Sequence, residues 1–368
     1  MALETISYLE SGQLARLFPT VADSKREERA TSTVLATFMA VPIFANDVFS
    51  AIGVTVGKRS KIKCYTEVVF KSTGKGKNPR PDGLVVISSG SKVWTAIIES
   101  KIGNADLIID QVEEYLGLAK KNKINAVITI SNQYATTPSH HPLKVQKNKT
   151  RSVDLYHFSW LSLKSKAVLL MEDEGVDDTE QAYILSEWVR YLGHDSAGVS
   201  VFNRMPTLWK ELCNLVQNGG GLNKSSDIVT DSVLGWHQLI KHLSLNLSMS
   251  IGKPVGISLS RQREKDADIN FMADCTFLAN NCELAAEFNI PNASSKLELS
   301  VDIVRKIVSI SMKLDAPRDK TRATASINWL TRQLKGKNQE NLSIKAYWPK
   351  RTPITIASLA VVSENPSI

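Results

Sequence analysis

Arg80-Pro81-Asp82-Gly83-Leu84-Val85-Val86-Ile87, the turn Ser88-Ser89-Gly90-Ser91, and Trp94-Thr95-Ala96-Ile97-Ile98-Glu99-Ser100-Lys101 form the stretch on which this sequence turns. The β-branched and aromatic content of the two apolar runs predicts two strands. Side chains alternate faces along a strand, so Glu99 and Lys101 point one way and Ser100 the other. The short turn allows the strands to pair as a hairpin, which brings Asp82 beside Glu99. Two carboxylates and one ammonium then converge at one end of a largely buried sheet. Pro81 keeps Arg80 extended, and Gly83 lets the chain approach closely beside Asp82.

Such a group is costly without a counter-ion, because neighbouring carboxylates repel and raise one another's pKa. A hard divalent cation relieves that cost: Mg²⁺ (or Mn²⁺) takes one or two protein carboxylates and fills its other positions with water and phosphate oxygens. Asp82 and Glu99 are the candidate metal ligands. Lys101 is the candidate group for orienting a nucleophile or balancing charge in the transition state. Taken alone, Asp82 also reads as an ordinary Pro-Asp-Gly turn residue, and Glu99 with Lys101 as a strand-end salt bridge.

Working outward, residues 24–52 read as one long helix, capped by Ser24 with Glu27 three residues on, and with Val34, Leu35, Phe38 and Met39 on its apolar face. Residues 61–71 read as a strand, and a Gly/Lys/Asn/Pro loop carries the chain to Arg80. Asn104 or Asp106 opens an amphipathic helix through about Asn122. Short apolar strands follow at 126–130 and 153–158. The order helix, three strands, helix, strand predicts an α/β mixed sheet with helices on its faces.

These features resemble the PD-(D/E)XK nuclease superfamily. Pro81-Asp82 supplies the PD and Glu99-Ser100-Lys101 the E-x-K, 17 residues on. Gln111-Val112-Glu113-Glu114-Tyr115 matches the Q-x-x-x-Y of the RecB-like branch, which shares its core with Holliday-junction resolvases. The resemblance covers roughly residues 20–165. It implies a restriction-endonuclease-like fold and Mg²⁺-dependent hydrolysis of DNA phosphodiesters, with Asp82, Glu99, Lys101 and Gln111 catalytic. It also implies a further acidic ligand on the first helix, where Glu27 is preferred over Glu28 by helical periodicity, with Glu67 a third candidate. Lys75, Lys77, Arg80 and Tyr115 are the candidate nucleic-acid contacts, and the basic run Lys58–Lys63 is read as a phosphate-contacting face next to the site. A defence, restriction or repair role, and homodimerisation, follow from the habits of the family alone.

The 368 residues carry 45 Lys+Arg against 37 Asp+Glu, net +8, and 43% hydrophobic residues. That length suggests a nuclease-like domain at 1–165, an acidic helical connector at 166–219 and an α+β domain at 220–368 for DNA or partner recognition. The charge is uneven: residues 51–150 hold 16 Lys+Arg and 7 Asp+Glu, residues 151–200 hold 4 and 9, and residues 301–350 hold 11 and 4. A basic block therefore surrounds the candidate site, which suits an anionic partner. The second basic block has Trp329 nearby, in the core or stacked on a base. No apolar run reaches the ~18 residues of a membrane span, and the opening residues lack a basic-then-apolar leader. Cys64, Cys213, Cys275 and Cys282 show no metal or disulfide spacing, so reduced thiols and a cytoplasmic location are expected. No phosphate-binding G-x-x-x-x-G-K-S/T loop is present. His140 and His141 read as a solvent loop and His157 as a structural strand histidine. The reading from a different class is a catalytically silent nuclease-like fold acting as a DNA-binding or assembly subunit.

Overall fold

The structure is a computed structural model that describes residues 7–18, 24–71, 79–199, 202, 204–314, 317–320, 322–336, 342–346 and 354–365. It divides into two compact units, one ending at Ser311 and the other running from Met312 to the C-terminus.

The first unit is mixed α/β. Its elements are β1 (Leu9–Leu14), α1 (Arg26–Ala40), α2 (Pro42–Ser50), β2 (Lys61–Phe70), β3 (Gly83–Ser89), β4 (Lys92–Ser100), α3 (Ile109–Lys121), β5 (Ala126–Ser131) and β6 (Asp154–Ser159). The helices α4 (Trp160–Glu172) and α5 (Thr179–Leu192) follow. The strands form one six-stranded sheet in sequence order, antiparallel from β1 to β4 and parallel from β4 to β6. Alternating side chains divide it into two cores. Cys64, Val85, Ile98 and Ile128 meet α1, α2, α4 and α5 on one face, while Tyr65, Leu84, Ile97 and Val127 meet α3 on the other. Helices on both faces explain why the last six residues of β4 and all of β5 are buried, as apolar runs without a polar face predict.

The single helix expected over 24–52 is two. Proline disfavours helical backbone in the residue before it, and Val41 sits at φ −125°, ψ 79° ahead of Pro42 at the start of α2. The two helices meet at 106°, and α2 turns back onto the same core, where Phe49 packs against Phe38 of α1 and Trp94 of β4. The expected cap is also absent: Lys25 occupies the N-cap position and makes no side-chain cap hydrogen bond. The helix expected from Asn104 or Asp106 starts later, at Ile109.

Beyond α5 come α6 (Trp209–Gln217), α7 (Asp227–Ile251), β7 (Gly256–Ile257), α8 (Arg261–Lys265), α9 (Ala267–Asn281), β8 (Glu283–Asn289), β9 (Leu297–Asp302) and β10 (Ile307–Met312). Antiparallel β7, β8 and β9 pack with α6, α7 and α9 around Trp236, Leu278 and Phe288. The glycine-rich stretch 219–226 does not separate compact units, because α7 is tied back to the β5–β6 connection. Tyr134, Leu161 and Leu245 share a small core, and Tyr134 and Gln238 exchange two hydrogen bonds at 2.6 and 2.8 Å. The second unit contains α10 (Ala323–Gln333), the antiparallel pair β11 (Ser343–Ala346) and β12 (Thr355–Ser358), and α11 (Leu359–Glu364). Among the described residues no single helix is long and apolar enough to cross a membrane.

Gly83 is where packing and chain path constrain each other most. A Cβ there would lie 2.6 Å from Leu35 Cδ1 of α1 and 3.0 Å from the Tyr65 carbonyl oxygen of β2. Gly83→Ala is therefore expected to cost about 1–3 kcal/mol by overpacking, read as a lower urea midpoint. An unchanged midpoint would contradict the close approach of α1 to the sheet.

Candidate active site

The hairpin register sets the site. Gly83 stands opposite Ile98, so Asp82 lies opposite Glu99 just before β3 begins. The Ser100 N–H donates to Asp82 Oδ2 at 2.7 Å, and Ser100 Oγ reaches the same oxygen at 3.2 Å. Lys101 Nζ donates to Glu99 Oε1 at 2.6 Å, to Glu27 Oε1 at 3.1 Å and to the Ser100 carbonyl at 3.0 Å. The Trp160 indole pins the Lys101 carbonyl at 2.9 Å, so the strand end is held from behind by α4. Thr31 on α1 bonds the Ser100 hydroxyl and the Glu27 carbonyl, which ties the first turn of α1 to the end of β4.

Burial makes this cluster electrostatically expensive. Glu99 is only 2% exposed. Desolvation, then the Glu99 charge, pushes the Asp82 carboxyl up to about 7. Desolvation also raises Glu99, opposed by its bond to Lys101. For Lys101, burial works against the charge, but the Glu99 hydrogen bond and the charges of Glu99, Asp82 and Glu27 outweigh it, and its pKa is raised. At the rim, Lys25 pairs with Glu28 at 2.6 Å and Arg80 pairs with Glu67. Among the described residues these ion pairs join Glu99, Glu27, Glu28 and Glu67 to Lys101, Lys25 and Arg80, with the Asp82 carboxyl beside Glu99.

The helix α3 supplies the second layer. Gln111 Nε2 donates to Tyr115 Oη at 3.1 Å, and Tyr115 Oη donates to the Arg80 carbonyl at 3.3 Å. Burial, then the neighbouring Glu99 charge, raises the Tyr115 phenol. Of the residues expected from sequence, Asp82, Glu99, Lys101, Glu27, Tyr115 and Gln111 are brought together, with Arg80 at the edge. Glu28 is spent on Lys25 and Glu67 on Arg80. Lys75 and Lys77 lie outside the described residues. The basic run Lys58–Lys63 leads away from the site: Lys63 pairs with Val86, Lys61 with Ser88 and Thr66 with Gly83, which puts about 10 Å of strand between Lys63 and Thr66 and about 17 Å between Lys61 and Thr66.

The polar row continues past Glu99 in a way the sequence reading missed. Thr129 stands beside Glu99 on β5, and His157 beside Thr129 on β6. The hydrogen bonds fix their direction. The Leu143 N–H donates to His141 Nδ1 at 3.0 Å, so His141 Nε2 donates to Thr129 Oγ1 at 2.8 Å. Thr129 then donates to His157 Nδ1 at 2.8 Å, and His157 Nε2 donates to the Gln133 carbonyl at 2.8 Å. His157 is the satisfied structural histidine expected. His141 is not in a solvent loop: Leu143 and Val145 pack on the α3 core and draw it inward. The signal was available as alternating apolar residues, Leu143 and Val145, inside a basic loop.

No group of three or more His, Cys, Asp and Glu side chains among the described residues is arranged to hold a metal ion. What the site offers a cation is the Asp82–Glu99 carboxylate pair beside the Lys101 ammonium. Compared with known proteins, the chain matches no protein-family model, no curated protein and no solved structure.

Burial lowers His141 to about 4, and burial followed by the His141 charge lowers His157 to about 3. Both values are depressed below the ordinary ~6.5, so the unfolded chain binds more protons between those limits, and stability falls as pH drops from about 6.5 to 4. His141 alone accounts for at most about 3 kcal/mol of that fall. Urea midpoints across this range should drop more steeply for the native protein than for His141→Asn. Parallel profiles would rule out the neutral histidine pair.

Proposed function

We propose that this protein is a Mg²⁺- or Mn²⁺-dependent nuclease of the PD-(D/E)XK type that hydrolyses DNA phosphodiester bonds on a restriction-endonuclease-like core. One observation supports the reading: Glu99 and Lys101 are bonded to each other, and Asp82 is bonded to the N–H of Ser100 between them, so two carboxylates and an ammonium converge at adjoining strand ends. The donor set fits the metal. Two carboxylates side by side offer the hard oxygen donors that suit a divalent cation.

Asp82 and Glu99 would hold the ion, and Glu27 stands close enough to Lys101 to complete the acidic wall. When bound, the metal supplies an activated water and neutralises charge on the phosphate oxygens. The chain's own residues do the rest. Ser100 N–H fixes one oxygen of Asp82, so its carboxylate is presented in one orientation. Lys101 is held by Glu99 and by the Ser100 carbonyl as a positive charge beside the reacting phosphate. Gln111 and Tyr115 secure the Arg80 carbonyl, and hence the turn that delivers Asp82. Arg80 lies at the rim with its guanidinium paired to Glu67, so its part in the site is to hold the turn into Asp82. Residues past 220 are read as the substrate- or partner-recognition part. The four free cysteines suit the reducing cytoplasm, where a restriction, defence or repair nuclease would act.

A specific feature favours a second reading, a catalytically silent DNA-binding or assembly subunit. The Lys101 ammonium already sits between Glu99 and Glu27, so the cluster has a cation of its own. Incubation of the purified chain with plasmid and linear DNA in Mg²⁺ or Mn²⁺ separates the two. Metal-dependent cleavage is expected, falling roughly 100-fold or more in Asp82→Ala and in Lys101→Ala. Cleavage surviving both substitutions would remove the site assignment, and DNA binding without cleavage would select the silent subunit.

A further inference from the structure

Glu67 adopts φ 55° within β2, a left-handed conformation inside a ten-residue strand. The β1–β2 register slips there: Ser11 faces Val69, yet Gln13 faces Thr66, so β2 carries one extra residue between these pairs, after β1 has carried one between the Leu9–Phe70 and Ser11–Val69 pairs. A left-handed bulge position of this kind favours glycine, because a Cβ is strained there. The bulge also marks the point where β2 parts from β3. Thr66 is the last residue paired with β3, opposite Gly83, and the next N–H, that of Glu67, reaches the Asp82 carbonyl at 3.3 Å.

The strained backbone puts the Glu67 carboxylate onto the Arg80 guanidinium. Arg80 is therefore held at two points, its side chain by Glu67 and its carbonyl by Tyr115 at 3.3 Å. Only Pro81 separates it from Asp82. Resting on the nuclease reading above, we propose that Glu67 is a positioning residue. Acting through Arg80, it fixes the Arg80-Pro81-Asp82 turn and so aims the Asp82 carboxylate at the metal position. Glu67 is then not a metal ligand, since its carboxylate is committed to a guanidinium outside the Asp82–Glu99 pair. A glutamate at a glycine position costs stability that the site uses for aim.

The test uses the full chain, Mn²⁺ as the metal probe and linear duplex DNA as substrate. Glu67→Gly removes both the strain and the carboxylate, so its Tm should stay level or rise by roughly 1–3 °C. Its Mn²⁺ affinity, by calorimetry, and its kcat should nevertheless fall about 10- to 100-fold, with KM for DNA changed by less than about 2-fold. Glu67→Gln keeps an acceptor for Arg80 and should recover most of the loss. The Glu67→Gly/Arg80→Ala double variant should be no worse than the poorer single variant, because both act through one contact. Wild-type kcat and Mn²⁺ affinity in Glu67→Gly, or additive losses in the double variant, would overturn the positioning role while leaving the nuclease reading intact. A wild-type chain that neither binds Mn²⁺ nor cuts DNA would remove both.

Discussion

Glu99 is a carboxylate with almost no solvent, and the contact that offsets its desolvation is the 2.6 Å bond from Lys101, two residues along the same chain. A buried ion pair broken by loss of one partner leaves an uncompensated charge and is strongly destabilising, on the order of 3–5 kcal/mol. The surroundings are organised around keeping it whole. Trp160 fixes the Lys101 carbonyl, Thr31 ties Ser100 to α1, and Glu27 gives the ammonium a second acceptor. These partners come from α4 and α1, so the charge pair depends on packing on the α1 face of the sheet. Tyr115 of α3 reaches the same place from the other face. The cluster is thus where the two cores meet.

The sheet topology makes that convergence available. Antiparallel pairing of β3 with β4 delivers Asp82 and Glu99 to the same edge, and parallel pairing of β4 with β5 and β6 extends the row to Thr129 and His157. One line of polar side chains therefore crosses four strands inside an otherwise apolar layer. The two ends of the line differ in kind. At the Asp82 end, charges are clustered and imperfectly balanced. At the His157 end, neutral groups pass hydrogen bonds in a single direction, from His141 through Thr129 and His157 to the Gln133 carbonyl. A closed network rigidifies its neighbours, whereas an unbalanced one retains capacity for a ligand.

The central hairpin was legible because it obeys local rules. Residues 84–87 and 93–98 carry strand composition on either side of a turn, and strand pairing then follows almost without choice. The acid–acid–lysine grouping followed from that register and from side-chain alternation alone. The first helix was half legible: its apolar periodicity runs unbroken through Val41-Pro42, and only the proline's effect on the preceding backbone splits it. His141 was misplaced because two histidines between prolines look solvated, and their burial depends on Leu143 and Val145 finding the α3 core across the loop. Helix α7 has a local signal, since Val229, Val233, Trp236 and Ile240 recur at helical spacing and are its buried face. The bulge at Glu67 had no sequence signal at all, since a glutamate stands where glycine would have announced it.

That last omission bears on how the site is built. Local propensity predicts a straight β2, and a straight β2 would stay paired with β3 past Thr66, across the position of Asp82. The extra residue at Glu67 ends that pairing where the aspartate must emerge, and its N–H retains a single bond, to the Asp82 carbonyl. A glycine would open the sheet equally well and at less backbone cost. It would not hold Arg80, and the turn leading to Asp82 would then be fixed only from the Tyr115 side. The sequence therefore departs from local preference at a position where the side chain has a partner that glycine lacks. Departures of that kind concentrate where geometry is under functional constraint, and here the departure is bonded to the backbone carbonyl of the aspartate on which the proposed chemistry rests.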